Sequence, residues 1–208
     1  MPSTIPSPLQ LTIDNLVREF AQIPRERRPL IDQLTSFIRD KSRRRELVLL
    51  NFICTHNSRR SHLSQIWAQT ASQYYGIKDV RAFSGGTEAT AFNPRAVKAM
   101  RDAGFQITVK KDGQNPEYEV SYAGDAPPLI VFSKRYDHPT NPKNDFAAIM
   151  TCSHADENCP LIIGAAKRIA LTYNDPKDFD GTPLEATKYA ERVREIGREI
   201  LYAFSQVQ

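Results

Sequence analysis

The chain has 208 residues, 40% of them hydrophobic, and a formal charge of +4 at pH 7. That is enough apolar material for a core without disulfide staples, in one elaborated domain or at most two small ones. Membrane spans are excluded, because no apolar run approaches the roughly 20 residues one requires. The odd count of three cysteines argues against an extracellular disulfide framework, and Met1–Pro8 lacks the charged and apolar regions of a signal peptide. The expected location is therefore cytoplasmic. The basic runs Arg25-Glu26-Arg27-Arg28 and Lys41-Ser42-Arg43-Arg44-Arg45 are not interleaved with aromatics, so they read as solvated surface and no nucleic-acid partner is expected.

Residues 1–45 are expected to form an appended helical unit. Leu9, Ile13, Leu16, Val17 and Phe20 make one helical stripe, and Leu30, Ile31, Leu34, Phe37 and Ile38 make a second after Pro24. Their apolar faces are expected to pack on the main domain or on a second subunit. From residue 46 to the end, strand and helix signals alternate. Leu47–Ile53 is a continuous apolar run, as in a buried parallel strand, and Ser61–Tyr75 follows as a helix with Leu63, Ile66, Trp67 and Thr70 on one side. Val80–Ser84 is a short strand ending in Gly85-Gly86. Asn93–Ala103 is a helix with Pro94 in its first turn and Gly104 past its end.

Between about 111 and 145 the pattern changes, and Glu117–Tyr122 with Leu129–Ser133 reads as an inserted β-hairpin that covers the site or contacts another subunit. Strands at Phe146–Met150 and Arg168–Thr172 and a closing helix at Pro183–Phe204 complete the chain. This alternation predicts an α/β sandwich, a parallel sheet covered by helices. Ligands of such sheets bind beyond the carboxyl ends of the strands. Cys54, Gly85, Cys152 and Tyr173-Asn174-Asp175-Pro176 all follow predicted strands, so they converge on one edge.

The segment Cys54-Thr55-His56-Asn57-Ser58-Arg59-Arg60-Ser61 links a buried strand to a helix. Backbone N–H groups of such a loop, together with the helix N-terminus, form a cradle for a tetrahedral oxyanion. Arg60 adds a planar fork for two anion oxygens. The same field favours a thiolate at Cys54, placed for in-line attack. Ser61 is in position to donate a hydrogen bond to the sulfur, and Asn57 to stabilise an unusual backbone conformation. Attack on an oxyanion needs an acid for the departing oxygen. Asp175, stiffened by Pro176, is the first candidate, with Asp178 and Asp180 as rivals.

Cys152 and Cys159 lie in Cys152-Ser153-His154-Ala155-Asp156-Glu157-Asn158-Cys159-Pro160. This cluster reads as a redox pair, as buried cysteines or, against the usual spacings, as zinc ligands with His154; no metal site is expected. If the segment were helical, the two Cα atoms would lie roughly 10 Å apart, beyond the limit of about 7 Å for a disulfide. A bond therefore requires a loop or local unwinding.

The Cys-x5-Arg-Ser loop, the segment Ser84-Gly85-Gly86-Thr87-Glu88 followed by Asn93-Pro94-Arg95, and Asp175-Pro176 together resemble the low-molecular-weight protein tyrosine phosphatase superfamily. The likeness spans about residues 46–110 and 145–204. It implies a three-layer α/β sandwich with a four-stranded parallel sheet, Cys54 as nucleophile and Asp175 as general acid. Thr55, His56, Asn57, Ser58, Arg59, Arg60 and Ser61 would then form the anion loop. His56 stands where that family usually has glycine, either facing outward or supporting the thiolate when protonated. Arg59 stands where it often has cysteine, and is expected to point to solvent or, failing that, to extend the positive rim of the loop. The tyrosine pair that usually follows Asp-Pro is replaced by Lys177-Asp178-Phe179-Asp180, with Phe179 available to stack on a ring.

Within the superfamily, the segment Thr151–Pro160 resembles the redox helix of thioredoxin-coupled arsenate reductases. That resemblance implies a Cys54 to Cys152 to Cys159 relay, no bound cofactor, and thioredoxin as reductant. The alternatives are a phosphatase acting on phosphotyrosine or a small phosphate ester, and an inactive anion-binding regulatory protein. Homo-oligomerisation through the N-terminal helices or the hairpin is a further expectation.

Overall fold

The computed structural model describes residues 5–158 and 161–207. Cys159 and Pro160 lie outside the described residues. Two helices open the chain, α1 (Ser7–Arg18) and α2 (Arg28–Arg43). Their predicted stripes face inward: Leu9, Ile13, Leu16, Ile31, Leu34 and Ile38 are fully buried. They share one hydrophobic core with the rest of the chain.

The central sheet contains β1 (Val48–Cys54), β2 (Val80–Gly86), β6 (Phe146–Met150) and β7 (Ala165–Ala170), all parallel, in the order β2-β1-β6-β7. β1 lies at its centre and is covered on both faces, which explains its unbroken apolar run. Leu50 and Phe52 face the large core. Leu49 and Ile53 face a smaller cluster with Ala148, Met150, Ala155 and Ile162.

On the large-core side, α3 (Arg60–Tyr74) lies between the sheet and α6 (Glu185–Ser205). Burial of α3 is not confined to the predicted stripe. Ser61, His62, Ser64, Gln65 and Ser72 are buried as well. Gln65 Nε2 donates to the Ala82 carbonyl (3.1 Å), while its Oε1 and His62 Nε2 are buried without a partner among the described residues. Gly197 of α6 lets Trp67 of α3 approach closely, since a Cβ there would lie 2.6 Å from the indole. On the opposite side, the short helix α5 (Ser153–Asn158) packs against β1 and β6.

The predicted hairpin is present as β4 (Glu117–Ser121) and β5 (Leu129–Val131). It is joined by an unpredicted strand, β3 (Gln106–Lys111), to make a three-stranded antiparallel sheet. β3 carries a weak signal because only Ile107 is buried along it and Val109 is exposed. It follows α4 (Pro94–Asp102), whose Asn93 cap accepts the Arg95 N–H at 2.9 Å. After β5 the chain returns to the main sheet. Tyr136 N–H donates to the Gly86 carbonyl, and Gly86 N–H donates to the Lys134 carbonyl. No described helix is long and apolar enough to cross a membrane.

Candidate active site

Strand β1 ends at Cys54 and helix α3 begins at Arg60, so the intervening loop lies at the carboxyl edge of the sheet. Its carbonyls are held from outside. Cys54 O accepts from Thr87 N (3.1 Å), Thr55 O from Glu88 N (2.8 Å), and Ser58 O from Asn93 N (2.9 Å). His56 O accepts from Ser133 Oγ (3.0 Å) and Thr90 Oγ1 (3.2 Å). In a planar trans peptide the next N–H points the opposite way. The N–H groups of Thr55, His56, Asn57 and Arg59 are thereby turned into the hollow of the loop. The α3 N-terminus has no side-chain cap, leaving its first-turn N–H groups for an anion. Gly86, opposite Cys54 in the sheet register, permits this packing. A Cβ there would come within 2.6 Å of Thr55 O and 2.7 Å of Asn57 N.

Asn57 has a φ of +44°, a region asparagine tolerates better than most residues. Its side chain ties the loop together. Lys134 N–H donates to Oδ1 (2.8 Å), which fixes the amide orientation, so Nδ2 donates to Ser61 Oγ (2.8 Å). Ser61 therefore has its hydroxyl hydrogen free for Cys54 Sγ, 3.1 Å away. Both residues are buried. The geometry places a hydrogen-bond donor on the sulfur, as needed to support a thiolate.

Arg60 donates through Nη1 to the Tyr173 carbonyl (2.9 Å) and through Nη2 to Asp175 Oδ2. Its Nε is buried without a partner among the described residues, a donor left over for an anion oxygen. Asp175 caps the single 3-10 turn Pro176–Phe179, accepting from Lys177 N at 3.1 Å. Of its rivals, Asp178 is exposed. Asp180 is engaged elsewhere, with Arg59 Nη2 at 3.2 Å and Tyr189 OH at 2.8 Å. Asp175 is therefore the carboxylate that meets Arg60, and it also lies 3.9 Å from Arg59 Nε. Phe179 lies under the Lys188 ammonium, 5.4 Å from its ring centroid.

The two unusual loop residues go in opposite directions. His56 is the one that turns outward, toward Glu88 (3.7 Å). Arg59 does not point to solvent as expected. Its side chain is only 11% exposed, because Nε donates to Tyr189 OH at 2.7 Å and α6 supplies a buried partner that no local pattern reveals. Burial pushes Tyr189 up to about 12, so its hydroxyl stays protonated and donates to Asp180.

Cys152 is 1% exposed and unbridged. It stands at the start of α5, with its sulfur 3.4 Å from Ala155 N and 3.5 Å from Thr55 Oγ1. Thr55 Oγ1 also meets His154 Nδ1 at 3.2 Å. The second thiol thus touches the residue next to Cys54. Ser153–Asn158 is helical, and Cys159 lies outside the described residues. Among the described residues no three His, Cys, Asp or Glu side chains converge as a ligand set.

Four contributors to the site were not found from sequence. His62 is fully buried, bonds Ser84 through Nδ1 (3.1 Å) and stacks on Phe92. Burial, aided by the nearby Lys134 charge, holds it well below an ordinary histidine. Tyr189 acts through Arg59. Arg27 belongs to a run read as solvated, yet it binds the buried Glu199 in bidentate fashion (2.8 and 2.7 Å) and the Thr172 carbonyl (2.9 Å). The N-terminal unit thereby braces the strand exit that carries Asp175. Lys41, of the second basic run, is likewise buried between Glu46 and Asp145.

The fourth, Lys134, is 5% exposed and has no carboxylate partner among the described residues. Its ammonium meets the Phe132 carbonyl (3.4 Å) and ring (4.5 Å). Burial pushes it down to about 8, which at about 1.4 kcal/mol per pH unit costs the folded state roughly 3 kcal/mol. Below about pH 8 both folded and unfolded chains hold the proton and the full cost is present. Between about 8 and 10.5 the folded chain has released it and the unfolded chain has not, so the cost falls as pH rises. Lys134→Met is therefore expected to stabilise the protein at pH 7 by about 2–3 kcal/mol. Thermal unfolding of both proteins at pH 7, 8.5 and 10 checks this, with the gap narrowing at each step.

Residues 49–120 match the model of the family described as low molecular weight phosphotyrosine protein phosphatase. An arsenate reductase of Bacillus licheniformis is 31% identical over 150 residues, covering 72% of this chain and 89% of that protein. An arsenate reductase of Bacillus subtilis is 30% identical over 153 residues, covering 73% and 91%. Among solved structures, a low molecular weight phosphotyrosine phosphatase from Vibrio cholerae superposes with a TM-score of 0.51 at 12% identity, covering 76% of this chain and 94% of that one. At that identity the likeness concerns the fold.

Proposed function

Because the chain belongs to the low molecular weight phosphotyrosine protein phosphatase family, we propose that this enzyme is an arsenate reductase. The observation that carries the reading is the second buried thiol, Cys152, against Thr55 of the anion loop. Hydrolysis of a phosphate ester has no use for it.

Arsenate enters the hollow lined by the loop N–H groups and is held by the Arg60 guanidinium. The Cys54 thiolate attacks arsenic, and the departing oxygen takes a proton from Asp175, leaving as water. Cys152 then attacks the Cys54 sulfur. The S–S bond forms as the S–As electron pair leaves with arsenic, which is reduced from As(V) to As(III) and departs as arsenite. Cys159 attacks Cys152 and frees Cys54, leaving a Cys152–Cys159 disulfide for a dithiol reductant such as thioredoxin. The helix α5 that follows Cys152 has only six residues and resists local unwinding weakly.

The test is purified protein with arsenate, thioredoxin, thioredoxin reductase and NADPH, beside a p-nitrophenyl phosphate assay. Arsenate-dependent NADPH oxidation with arsenite as product is the expected result. Aryl-phosphate hydrolysis with no arsenate-dependent oxidation would instead assign the chain to the phosphatases.

A further inference from the structure

We infer that Arg59, held by Asp180 and Tyr189, is a specificity determinant that admits a bare tetrahedral oxyanion to Cys54 and excludes an aryl phosphate ester. The inference rests on the reading of the site as an arsenate reductase and names the feature that selects its substrate class.

The space over Cys54 is bounded by His56, Ser58, Arg59, Arg60 and Asp175 and measures about 10 Å³, the scale of a single water molecule. Two sets of bonds close it. The inner one joins Arg60 to Asp175. An incoming oxyanion competes for the same guanidinium, so its own charge opens that contact, and the orphan Nε of Arg60 supplies a further donor.

The outer set is a closed triangle. Arg59 Nε donates to Tyr189 OH (2.7 Å), Arg59 Nη2 to Asp180 Oδ2 (3.2 Å), and Tyr189 OH to Asp180 Oδ1 (2.8 Å). Beyond it, Arg95 Nε pairs with Glu185 (2.7 Å), and Glu185 caps Gly181 N–H at 2.6 Å. Asp180 lies within the segment between Asp175 and α6 and Glu185 opens α6, so the Arg59–Asp180 contact ties the acid-bearing segment to the anion loop. Tyr189 is 2% exposed and belongs to a helix locked on α3 through Trp67 and Gly197; it does not yield to a small ligand. An oxyanion needs Asp175 to yield only its contact with Arg60 and its longer ion pair with Arg59 (3.9 Å), and it leaves the triangle intact. An ester with a ring needs the segment to lift, breaking the triangle with no compensating charge.

The test uses Tyr189→Phe and Asp180→Asn, neither of which lines the cavity. The readouts are KM for p-nitrophenyl phosphate, Ki for inorganic phosphate as competitor, kcat/KM for arsenate, and thermal unfolding. Loss of the clamp is expected to lower the ratio of aryl-phosphate KM to phosphate Ki by about tenfold, in the range that pocket shape discriminates. The ratio of aryl-phosphate to arsenate kcat/KM should rise by a similar factor. A merely structural role would weaken aryl and inorganic phosphate together and leave the ratios unchanged. Unchanged ratios, or aryl turnover that stays undetectable, in a variant that unfolds cooperatively and still binds phosphate would overturn the inference. If the parent protein reduces no arsenate, the functional reading fails, yet the aryl-phosphate KM against phosphate Ki still reads the clamp. Should Asp180→Asn fail to fold, Tyr189→Phe, which removes one hydroxyl, decides the matter.

Discussion

Cys54→Ser is expected to abolish arsenate-dependent NADPH oxidation and any aryl-phosphate hydrolysis together, each by about 10⁴-fold or more. The groups around the sulfur are donors and cations: Ser61 Oγ at 3.1 Å, the inward N–H groups and Arg60. They are placed to hold negative charge on the sulfur, and none of them is a base in contact with it. A thiol is intrinsically far more acidic than a serine hydroxyl, which needs a general base in contact with it, and the partner of the Cys54 sulfur is the Ser61 hydroxyl. Serine keeps the hydrogen bond to Ser61 and is close in size, so the fold should survive. Steady-state assays with both substrates, with thermal unfolding as control, check the expectation. Appreciable turnover by a folded serine variant would mean that another group is the nucleophile.

Cys152→Ser is expected to divide the two chemistries. Multiple-turnover arsenate reduction should fall by at least about 10³-fold, while residual aryl-phosphate hydrolysis stays within about twofold of the parent. On the proposed mechanism, forming the arsenic adduct and hydrolysing a phosphocysteine both need only Cys54, Arg60 and Asp175. Reduction of As(V) needs a second thiol to take up Cys54, and Cys152 is the one that the fold brings to Thr55. Its sulfur accepts Ala155 N–H at 3.4 Å, a bond that a serine oxygen can keep. Mass spectrometry after one turnover adds an independent readout, because the variant should retain arsenic on Cys54 that the parent sheds. NADPH oxidation at the parent rate in Cys152→Ser would remove this residue from the relay.

Much of the frame was legible because it rests on short-range patterns. β1 and β6 are continuous apolar runs, and buried parallel strands need such runs on both faces. The start of α4 was marked by Asn93 and Pro94, and the stripes of α1 and α2 by 3.6-residue spacing. The loop from Cys54 to Ser61 was legible because a strand, a cysteine, an arginine and a helix start within eight positions constrain one another. What escaped were partners distant in sequence. β3 is exposed at every position but Ile107, so alternation along it is faint. Arg27 resembles its solvated neighbours until Glu199, on the far helix, is placed against it. Lys134 reads as one more surface lysine until the turn between β5 and β6 carries it behind the loop.

From local order alone, the chain commits Cys54 to a loop between a buried strand and a helix start, and Asp175 to a strand exit, since backbone geometry and spacing suffice for both. The direction of Arg59 is a different kind of fact. Locally it is an arginine at a helix start, free to turn to water. Packing of α3 on α6, set by Trp67 against Gly197, brings Tyr189 within 2.7 Å of its guanidinium, and burial then makes the polar partners obligatory. Assembling the pieces converts a residue that looks like solvated charge into the roof of the site, because the cost of leaving buried donors unpaired exceeds any local preference.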